Sequence, residues 1–390
     1  MTDMNYMIHD LGIPDTVLEF FLSRSAGSSA PCYVYDTSRI ERNCRRFLEI
    51  PYEPKSIHFA TMANINPDFL RVVRKSGLSA FVNSIDHLRE VLAAGFPGED
   101  TVFTASAMDD DAMSVIRRHG VRVNLDSPTQ LERWRRLFPD SPVGIRCNIG
   151  DKVEPKDTRA GVFLGHRSRL GFNMEEIEAV AGDPLVTALH LYVGTDIMDV
   201  DYFMECYRAL WDLAELFPGL ECLNLGGGFS VSDRESTSFD MESYGERVSR
   251  LMKERSRSLG RDIRLELEPG RIIGCDAGYF SCKVTDVKVR SGFQFIGVNA
   301  SSTQFPRPLL YPDSAFHPAA ILRGSRILSG EGIPSSVYGC STYSRDFLAR
   351  DTALPPAEID DWVVLGQAGS YCASAHTRFL GFPPAEEIFI

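Results

Sequence analysis

The feature that most constrains the fold of this chain is a regular alternation of short strands and helices between about residues 36 and 275. Each predicted strand is a short, mostly apolar run that ends in a turn, and a helical apolar pattern follows it. Eight such units predict a closed (β/α)8 TIM barrel, because alternation of this kind is typical of parallel βαβ units. The predicted strands lie at 57–60, 78–83, 101–104, 121–125, 142–147, 185–193, 222–225 and 263–268.

The pattern changes after Cys275, where residues 279–290 and 294–300 alternate at period two with no helix between them. Period-two alternation rich in β-branched residues is typical of half-buried strands. The chain has 390 residues, enough for a barrel and a second domain. We therefore predict an N-terminal segment at 1–35 that joins an all-β domain at 276–390, of β-barrel or sandwich type, with the barrel at 36–275.

Composition excludes several function classes. The formal net charge of -12 leaves no basic surface for nucleic acid or an anionic membrane. No apolar run reaches the ~18 residues of a transmembrane helix, and the N-terminus lacks the pattern of a secretory signal. The nine cysteines are scattered without a C-x-x-C pair, which predicts buried free thiols and no metal site. We therefore expect a cytoplasmic protein.

Residues 57–67, which read IHFATMANINP, contain the position where a barrel presents reactive side chains. The apolar run ends at Ala60, and a proline with polar neighbours opens the next helix at Pro67. Met62 lies between them, just past the end of the strand, where barrel enzymes place their active sites.

A glycine triplet and an E-P-G-R motif follow the last two predicted strands of the barrel. Gly226, Gly227 and Gly228 come directly after one strand, and Glu268 begins the second motif. Glycine lets the backbone approach an anion closely, and a phosphate site built from late barrel loops recurs in this fold. A plain tight turn is the alternative explanation of the triplet.

These motifs resemble those of fold type III pyridoxal-phosphate enzymes, the ornithine/diaminopimelate decarboxylase and alanine racemase-like group. In that family residues 57–67 correspond to F-A-x-K-A-N-x-N-P, whose lysine binds the cofactor covalently, and Met62 stands at the lysine position. The resemblance implies that the glycine triplet, Gly270 and Arg271 hold the cofactor phosphate. It also implies that Glu268 bonds the pyridine nitrogen.

Further positions match the family's cofactor pocket. The segment HLYVGTD at 190–196 resembles H-x-H-[IV]-G-S-Q, with Tyr192 at the histidine that stacks on the ring and Thr195 at the serine that touches phosphate. The segment AGSY at 368–371 resembles A-G-A-Y, whose tyrosine reaches the phosphate, and Tyr371 stands there. Packing at a strand end is the alternative for Tyr371.

The segment QFPRPLLY at 304–311 resembles the one that binds the substrate's distal carboxylate in diaminopimelate-type enzymes. Arg307 and Tyr311 stand at the positions of its arginine and tyrosine. An arginine between prolines suits a bidentate carboxylate clamp, and a surface salt bridge is the alternative. The polar loop 150–169, with Lys152, Lys156 and Arg159, is either a mobile lid or a plain surface excursion.

Several catalytic positions depart from the family. Phe81 replaces an aspartate near the lysine, and His87 replaces a glutamate. In residues 339–351 the family's pattern is G-x-x-C-E-S-x-D-x-L, and Thr342 and Tyr343 replace its cysteine and glutamate. The remaining candidates for catalytic or acid–base work are Tyr343, His87, the retained Asp346 and the nearby Cys340.

The retained pocket and the lost lysine give three hypotheses. The first is a decarboxylase-like enzyme, a carbon–carbon lyase that binds pyridoxal phosphate non-covalently and acts on an amino acid or carboxylated amine by altered chemistry. The second is a catalytically inactive relative that binds a ligand or partner, and the third is an activity independent of pyridoxal phosphate. The family also implies a homodimer in which the segment around Cys340 and Asp346 reaches the partner's barrel.

Overall fold

The computed structural model describes residues 11–25, 27–150, 152–154, 163–231 and 238–390. The first ten residues of the predicted N-terminal segment, and Lys156 and Arg159 of the predicted lid, lie outside these ranges. The chain divides into two compact units, one formed by Met1–Ile40 with Gly274–Ile390 and the other by Glu41–Ile273. Helix α1 (Asp15–Ser25) and strand β1 (Cys32–Tyr35) belong to the first unit, and helix α2 (Thr37–Leu48) leads into the second.

The second unit is built on a closed barrel of eight parallel strands in sequence order, so the predicted TIM barrel is confirmed. Each strand pairs in parallel with the next, and the last pairs with the first through Ile57 and Leu267. The barrel strands are β2 (Lys55–Ala60), β3 (Ser79–Val82), β4 (Thr101–Ala105), β5 (Arg122–Leu125), β6 (Val143–Arg146), β7 (Val186–His190), β8 (Cys222–Asn224) and β9 (Arg264–Leu267).

The helices of this unit begin where the sequence supplies caps. Ser84, Asp109 and Ser127 each accept a backbone N–H from the first turn of the helix that follows, which satisfies donors that a helix start leaves open. The helices are α3 (Pro67–Lys75), α4 (Ile85–Ala93), α5 (Asp110–Arg118), α6 (Pro128–Leu137), α7 (Met174–Ala179), α8 (Val200–Ala214), α9 (Met241–Leu259) and α10 (Arg271–Gly274).

The first unit contains one nine-stranded sheet, antiparallel except where β1 pairs with β17 and β11 pairs with β14. The predicted all-β second domain is therefore confirmed as mostly antiparallel. Its core includes Val17 of α1, Val34 of β1 and Trp362 of β16. Its other elements are β10 (Gly278–Arg290), β11 (Phe293–Val298), α11 (Arg307–Leu310), β12 (Ala319–Arg323), β13 (Arg326–Ile327), β14 (Ile333–Tyr338), β15 (Phe347–Leu354), β16 (Trp362–Leu365) and β17 (Glu386–Phe389).

Three chain-wide properties bear on function. All nine cysteines are free and eight are buried, as the sequence predicts. In the described part of the chain, no helix has both the length and the apolar character that a membrane crossing requires. Among those same residues, no cluster of three or more His, Cys, Asp or Glu side chains is arranged to hold a metal ion.

Candidate active site

Met62 lies at the carboxyl end of β2, in a one-turn 3-10 helix at Thr61–Ala63. Its neighbours Thr61 and Ala63 are buried, while Met62 is partly exposed. The Asn66 side chain accepts the Asp68 N–H at 2.8 Å and begins α3. The predicted position past the strand end is therefore the position that the structure gives to Met62.

His87 is joined to this turn through Thr61. The Thr61 hydroxyl lies 3.1 Å from the Phe81 carbonyl oxygen and 3.0 Å from His87 Nδ1. A hydroxyl has a single hydrogen, so both contacts are satisfied when Thr61 donates to the carbonyl and accepts from His87 Nδ1–H. This tautomer leaves the lone pair on Nε2. Burial lowers the pKa of His87, against the opposing charges of Asp86 and Glu90.

The glycine triplet after β8 packs tightly against its neighbours. A Cβ added at Gly226 would lie 2.1 Å from the Leu191 carbonyl oxygen, and one at Gly227 would lie 2.3 Å from the Glu268 carbonyl oxygen. Gly226 and Gly228 also have positive φ angles of 67° and 105°, which favour glycine. The close contact between barrel loops therefore requires glycine at these positions. This steric requirement holds whether or not the triplet also binds a ligand.

The same loops present open donors. The backbone N–H groups of Gly227 and Gly270 have no hydrogen-bond partner among the residues that the structure describes, although both residues are buried. A buried backbone N–H without a partner is rare in proteins. Arg271 adjoins these loops and pairs with Asp196, whose backbone is left-handed at a φ of 55°. An anion between the loops would satisfy the open N–H groups.

Glu268 is buried directly after β9, with 5% of its surface exposed. Asn224 Nδ2 donates to Glu268 Oε1 at 2.7 Å, and His190 Nε2 lies 3.4 Å from Glu268 Oε2. The Asn224 side-chain oxygen accepts the Gly226 N–H at 3.0 Å, which fixes the orientation of the amide. Asn224 thus joins the glycine turn to the buried acid.

An aromatic face occupies the turn after β7. The Tyr192 ring makes an edge contact with Phe163 at 5.3 Å between centroids, and the Arg146 guanidinium lies 5.8 Å from the Tyr192 centroid. Arg146 is mostly buried and donates a long hydrogen bond, at 3.4 Å, to Asp126. Burial lowers the pKa of Arg146. Thr195, half-buried, follows three residues after Tyr192.

The remaining predicted residues lie in the first unit, in three stretches of the chain. Arg307 begins α11 and is 7% exposed, and its guanidinium lies 5.4 Å from the ring of Tyr311, which is 40% exposed. Tyr371 follows Ser370 with a φ of 57°. A bulky residue in that region is uncommon and often marks a functional site.

Cys340, Tyr343 and Asp346 lie together between β14 and β15. Cys340 is the one exposed cysteine, and partial desolvation of its thiol raises its pKa. Tyr343 makes an edge contact with Phe379 at 5.4 Å.

Asp346 is 2% exposed and both of its carboxylate oxygens accept hydrogen bonds. Its Oδ1 accepts the Ser302 N–H at 2.6 Å and the Ser301 hydroxyl at 3.2 Å. Its Oδ2 accepts the Ser341 N–H at 3.0 Å and the Ser341 hydroxyl at 2.5 Å. Asp346 therefore holds this loop in place, and the catalytic role predicted for it stays a prediction.

No described lysine replaces the amine that Met62 lacks at the end of β2. Lys55 lies at the opposite, N-terminal end of the same strand and pairs with Glu53. Lys75 ends α3, and Lys152 is exposed in the segment after β6. The others are on the outer helix α9 and on β10 of the first unit.

Sequence reasoning missed Asn224, Arg146 and Thr61. Each is a polar residue at or just after the carboxyl end of a barrel strand. That placement was a usable signal, because carboxyl ends of barrel strands carry the site in this fold.

Known proteins similar to this chain include pyridoxal-dependent decarboxylases and proteins named diaminopimelate decarboxylase. The family model described as pyridoxal-dependent decarboxylase, pyridoxal binding domain, matches residues 37–275. Diaminopimelate decarboxylase of Methanothermobacter thermautotrophicus is 27% identical over 378 residues, covering 92% of this chain and 86% of the relative. That of Escherichia coli strain K12 is 26% identical over 404 residues, covering 98% and 94%. The crystal structure of Helicobacter pylori diaminopimelate decarboxylase complexed with L-lysine has the same fold, with a TM-score of 0.84 at 20% identity and coverage of 95% and 94%.

Proposed function

Since this chain belongs to the pyridoxal-dependent decarboxylase family, we propose that its barrel binds pyridoxal phosphate without a covalent bond. We propose further that it acts on an amine bearing a carboxylate, by chemistry altered through the absence of a lysine at position 62. The observation that carries the proposal is Glu268, a buried acid at the carboxyl end of β9 beside a loop with an open N–H group.

The residues present fit this cofactor. Buried donors at Gly227 and Gly270 suit a phosphate. A buried carboxylate that accepts one N–H from Asn224 still has acceptor capacity for a protonated ring nitrogen. The aromatic ring of Tyr192 suits the face of a heterocycle. When bound, pyridoxal phosphate supplies an electron sink that stabilises the carbanion formed as carbon dioxide leaves.

The chain's own residues then have definite tasks. Glu268 would keep the ring nitrogen protonated, and Arg307 with Tyr311 would bind a distal carboxylate of the substrate. Thr195 and Arg271 would contribute to the phosphate site, and the phosphate role of Tyr371 stays a prediction. The thioether of Met62 has no nucleophilic amine, so it would form no covalent bond to the cofactor.

We assign acid–base work in the barrel to His87. A substrate ammonium must lose a proton before its nitrogen can react, and a neutral imidazole with a free Nε2 lone pair is suited to accept it. The Thr61–His87 contact of 3.0 Å and the burial of the ring support this role. Tyr343 and Cys340 are the acid–base candidates of the first unit.

His87 is expected to titrate below its usual value of 6.5, because burial lowers its pKa. Its neutral form therefore stabilises the fold above about pH 6.5, and this stability is lost as pH falls, since the unfolded chain takes up the proton first. Nitrogen-15 NMR of labelled histidine should show hydrogen on Nδ1. Thr61→Val should abolish that preference and Thr61→Ser should keep it. A signal from Nε2–H in the unmodified protein would remove His87 as the base.

A non-catalytic role is the second candidate function. It is favoured by the joint replacement of the family's lysine, its neighbouring aspartate and its cysteine by Met62, Phe81 and Thr342. A third candidate, an activity independent of pyridoxal phosphate, would need no change in the fold.

Turnover separates these candidates. Purified protein with added pyridoxal phosphate is incubated with diaminopimelate, lysine, ornithine and arginine, and carbon dioxide and amine products are quantified by mass spectrometry. We expect slow release of carbon dioxide from diaminopimelate, whose distal carboxylate Arg307 would bind, and only when the cofactor is present. Cofactor binding without any release supports the non-catalytic role, and release without cofactor supports the third.

We also propose a homodimer, on the basis of the family resemblance. Sedimentation equilibrium at micromolar concentration should give twice the chain mass of 43.5 kDa. A stable monomer across the accessible concentration range would contradict this.

A further inference from the structure

The interior of the barrel contains a chain of polar groups that the proposed chemistry does not use. Glu266 on β9 is 2% exposed, and Arg122 NH1 donates to its Oε1. Arg122 NH2 also lies 3.3 Å from His58 Nε2. Strands β5 and β9 are four places apart in the closed ring of eight, so the Arg122 side chain crosses the barrel interior.

Asn224 connects this buried charge to the candidate site. It is the backbone partner of Glu266 across β8 and β9. Its Nδ2 lies 2.7 Å from Glu268 Oε1 and 3.5 Å from Glu266 Oε2. Its side-chain oxygen is held by the Gly226 N–H, so the amide cannot rotate to favour another partner. One amide group therefore lies between two buried acids.

The other end of the chain reaches solvent. The Arg122 side chain is 33% exposed, and its Nε donates to the Glu99 carbonyl oxygen at 3.3 Å, in the loop before β4. That loop is at the N-terminal end of the barrel strands, opposite the site. The polar groups thus form a continuous path from Glu268 to the far end of the barrel.

Folding stability alone does not account for this path. A buried ion pair is seldom more stabilising than apolar residues of the same volume, because removing both charges from water is costly. Burial by itself raises the pKa of Glu266, but His58 and Arg122 lower it well below its usual range. Glu266 is therefore a permanent charge next to the site.

We infer that Arg122, Glu266 and Asn224 form an electrostatic relay that positions Glu268 and sets the potential at the ligand's ring nitrogen. This inference rests on the proposed function, since it takes a protonated nitrogen heterocycle as the ligand of Glu268. The three residues are positioning residues, because none of them is placed against the ligand.

The relay predicts opposite effects for its two charges. In Glu266→Gln the Arg122 charge is left uncompensated, so protonation of the ring nitrogen is disfavoured and its midpoint falls by about one pH unit. In Arg122→Gln the Glu266 carboxylate keeps Arg264 and His58, each 3.8 Å away, so its charge is less compensated and the midpoint rises. The double variant should return close to the value of the unmodified protein.

The experiment measures the midpoint directly. Pyridoxal phosphate labelled with nitrogen-15 in the ring is bound to each variant and titrated with acid by absorbance and NMR. Circular dichroism verifies the fold. Arg255→Gln, which removes a cation from an exposed pair with Asp212 on the outer helices, is the matched control and should leave the midpoint unchanged.

The outcomes distinguish the relay from the proposed cofactor binding. Opposite shifts that cancel in the double variant support the relay. Shifts of the same sign, or no shift, overturn the relay. If the unmodified protein still binds the cofactor, the proposed function stands even then. If Glu266→Gln does not fold, Arg122→Gln must still raise the midpoint, and its failure overturns the relay. Absence of binding by the unmodified protein overturns both.

Discussion

Replacing Met62 by lysine is expected to give this protein a covalently bound cofactor. The side chain lies at the carboxyl end of β2, on the same end of the barrel as Glu268 and the glycine triplet. An amine there would condense with the aldehyde of pyridoxal phosphate, which would add a covalent bond to the contacts that we propose for the cofactor. We expect a new visible absorbance band and an apparent affinity at least about tenfold higher.

Borohydride reduction followed by mass spectrometry should then place the cofactor mass on the peptide that contains residue 62. Met62→Arg is the matched control, because it adds a cation without a reactive amine, and Met62→Leu tests loss of the sulfur alone. Neither control should gain the band. If the Met62→Lys protein folds but acquires no adduct at saturating cofactor, position 62 is not the anchoring position of this pocket.

Replacing Glu268 by alanine is expected to weaken binding of pyridoxal phosphate by about 10- to 100-fold, because a charge-assisted hydrogen bond contributes about 1.5–3 kcal/mol. The Glu268 carboxylate is 5% exposed, and the Asn224 side chain donates to it at 2.7 Å, so its orientation toward a ligand is fixed. Isothermal calorimetry measures the loss. Glu221→Ala, an exposed glutamate directly before β8, is the matched control and should have no effect.

An analogue with CH in place of the ring nitrogen completes a thermodynamic cycle. For this analogue the unmodified protein and Glu268→Ala should bind with the same affinity. An equal loss for both ligands would show that Glu268 acts on the loop structure and does not contact the nitrogen. Glu268→Gln, which keeps the shape, distinguishes lost charge from lost packing.

The barrel was predictable because its determinants are local. Eight apolar runs ending in turns were enough to predict the strands. The family motifs were visible because they lie in the loops that directly follow these strands. Helix α7 (Met174–Ala179) was missed, being too short to show periodicity. Its capping box, in which Asn173 and Glu176 bond each other's backbone, was nevertheless visible in the sequence.

The roles of individual polar residues were harder to predict because they depend on distant partners. Asp346 was a catalytic candidate by resemblance, yet its oxygens accept bonds from Ser301 and Ser302, more than forty positions away. Asn224 gains its role from the register of β8 against β9, which places it beside Glu266. The glycine triplet supported two explanations, and the steric one became evident only from the backbone oxygens that an added Cβ would meet at Gly226 and Gly227.

The central claim is that this barrel retains a pyridoxal phosphate site from which the anchoring lysine is missing. The most direct test is calorimetric titration of the unmodified protein with pyridoxal phosphate, with absorbance recorded in parallel. We predict saturable binding at one site per chain, with the spectrum of the free aldehyde retained and no mass increase after borohydride reduction. Absence of binding, or a covalent adduct on another lysine, would contradict it.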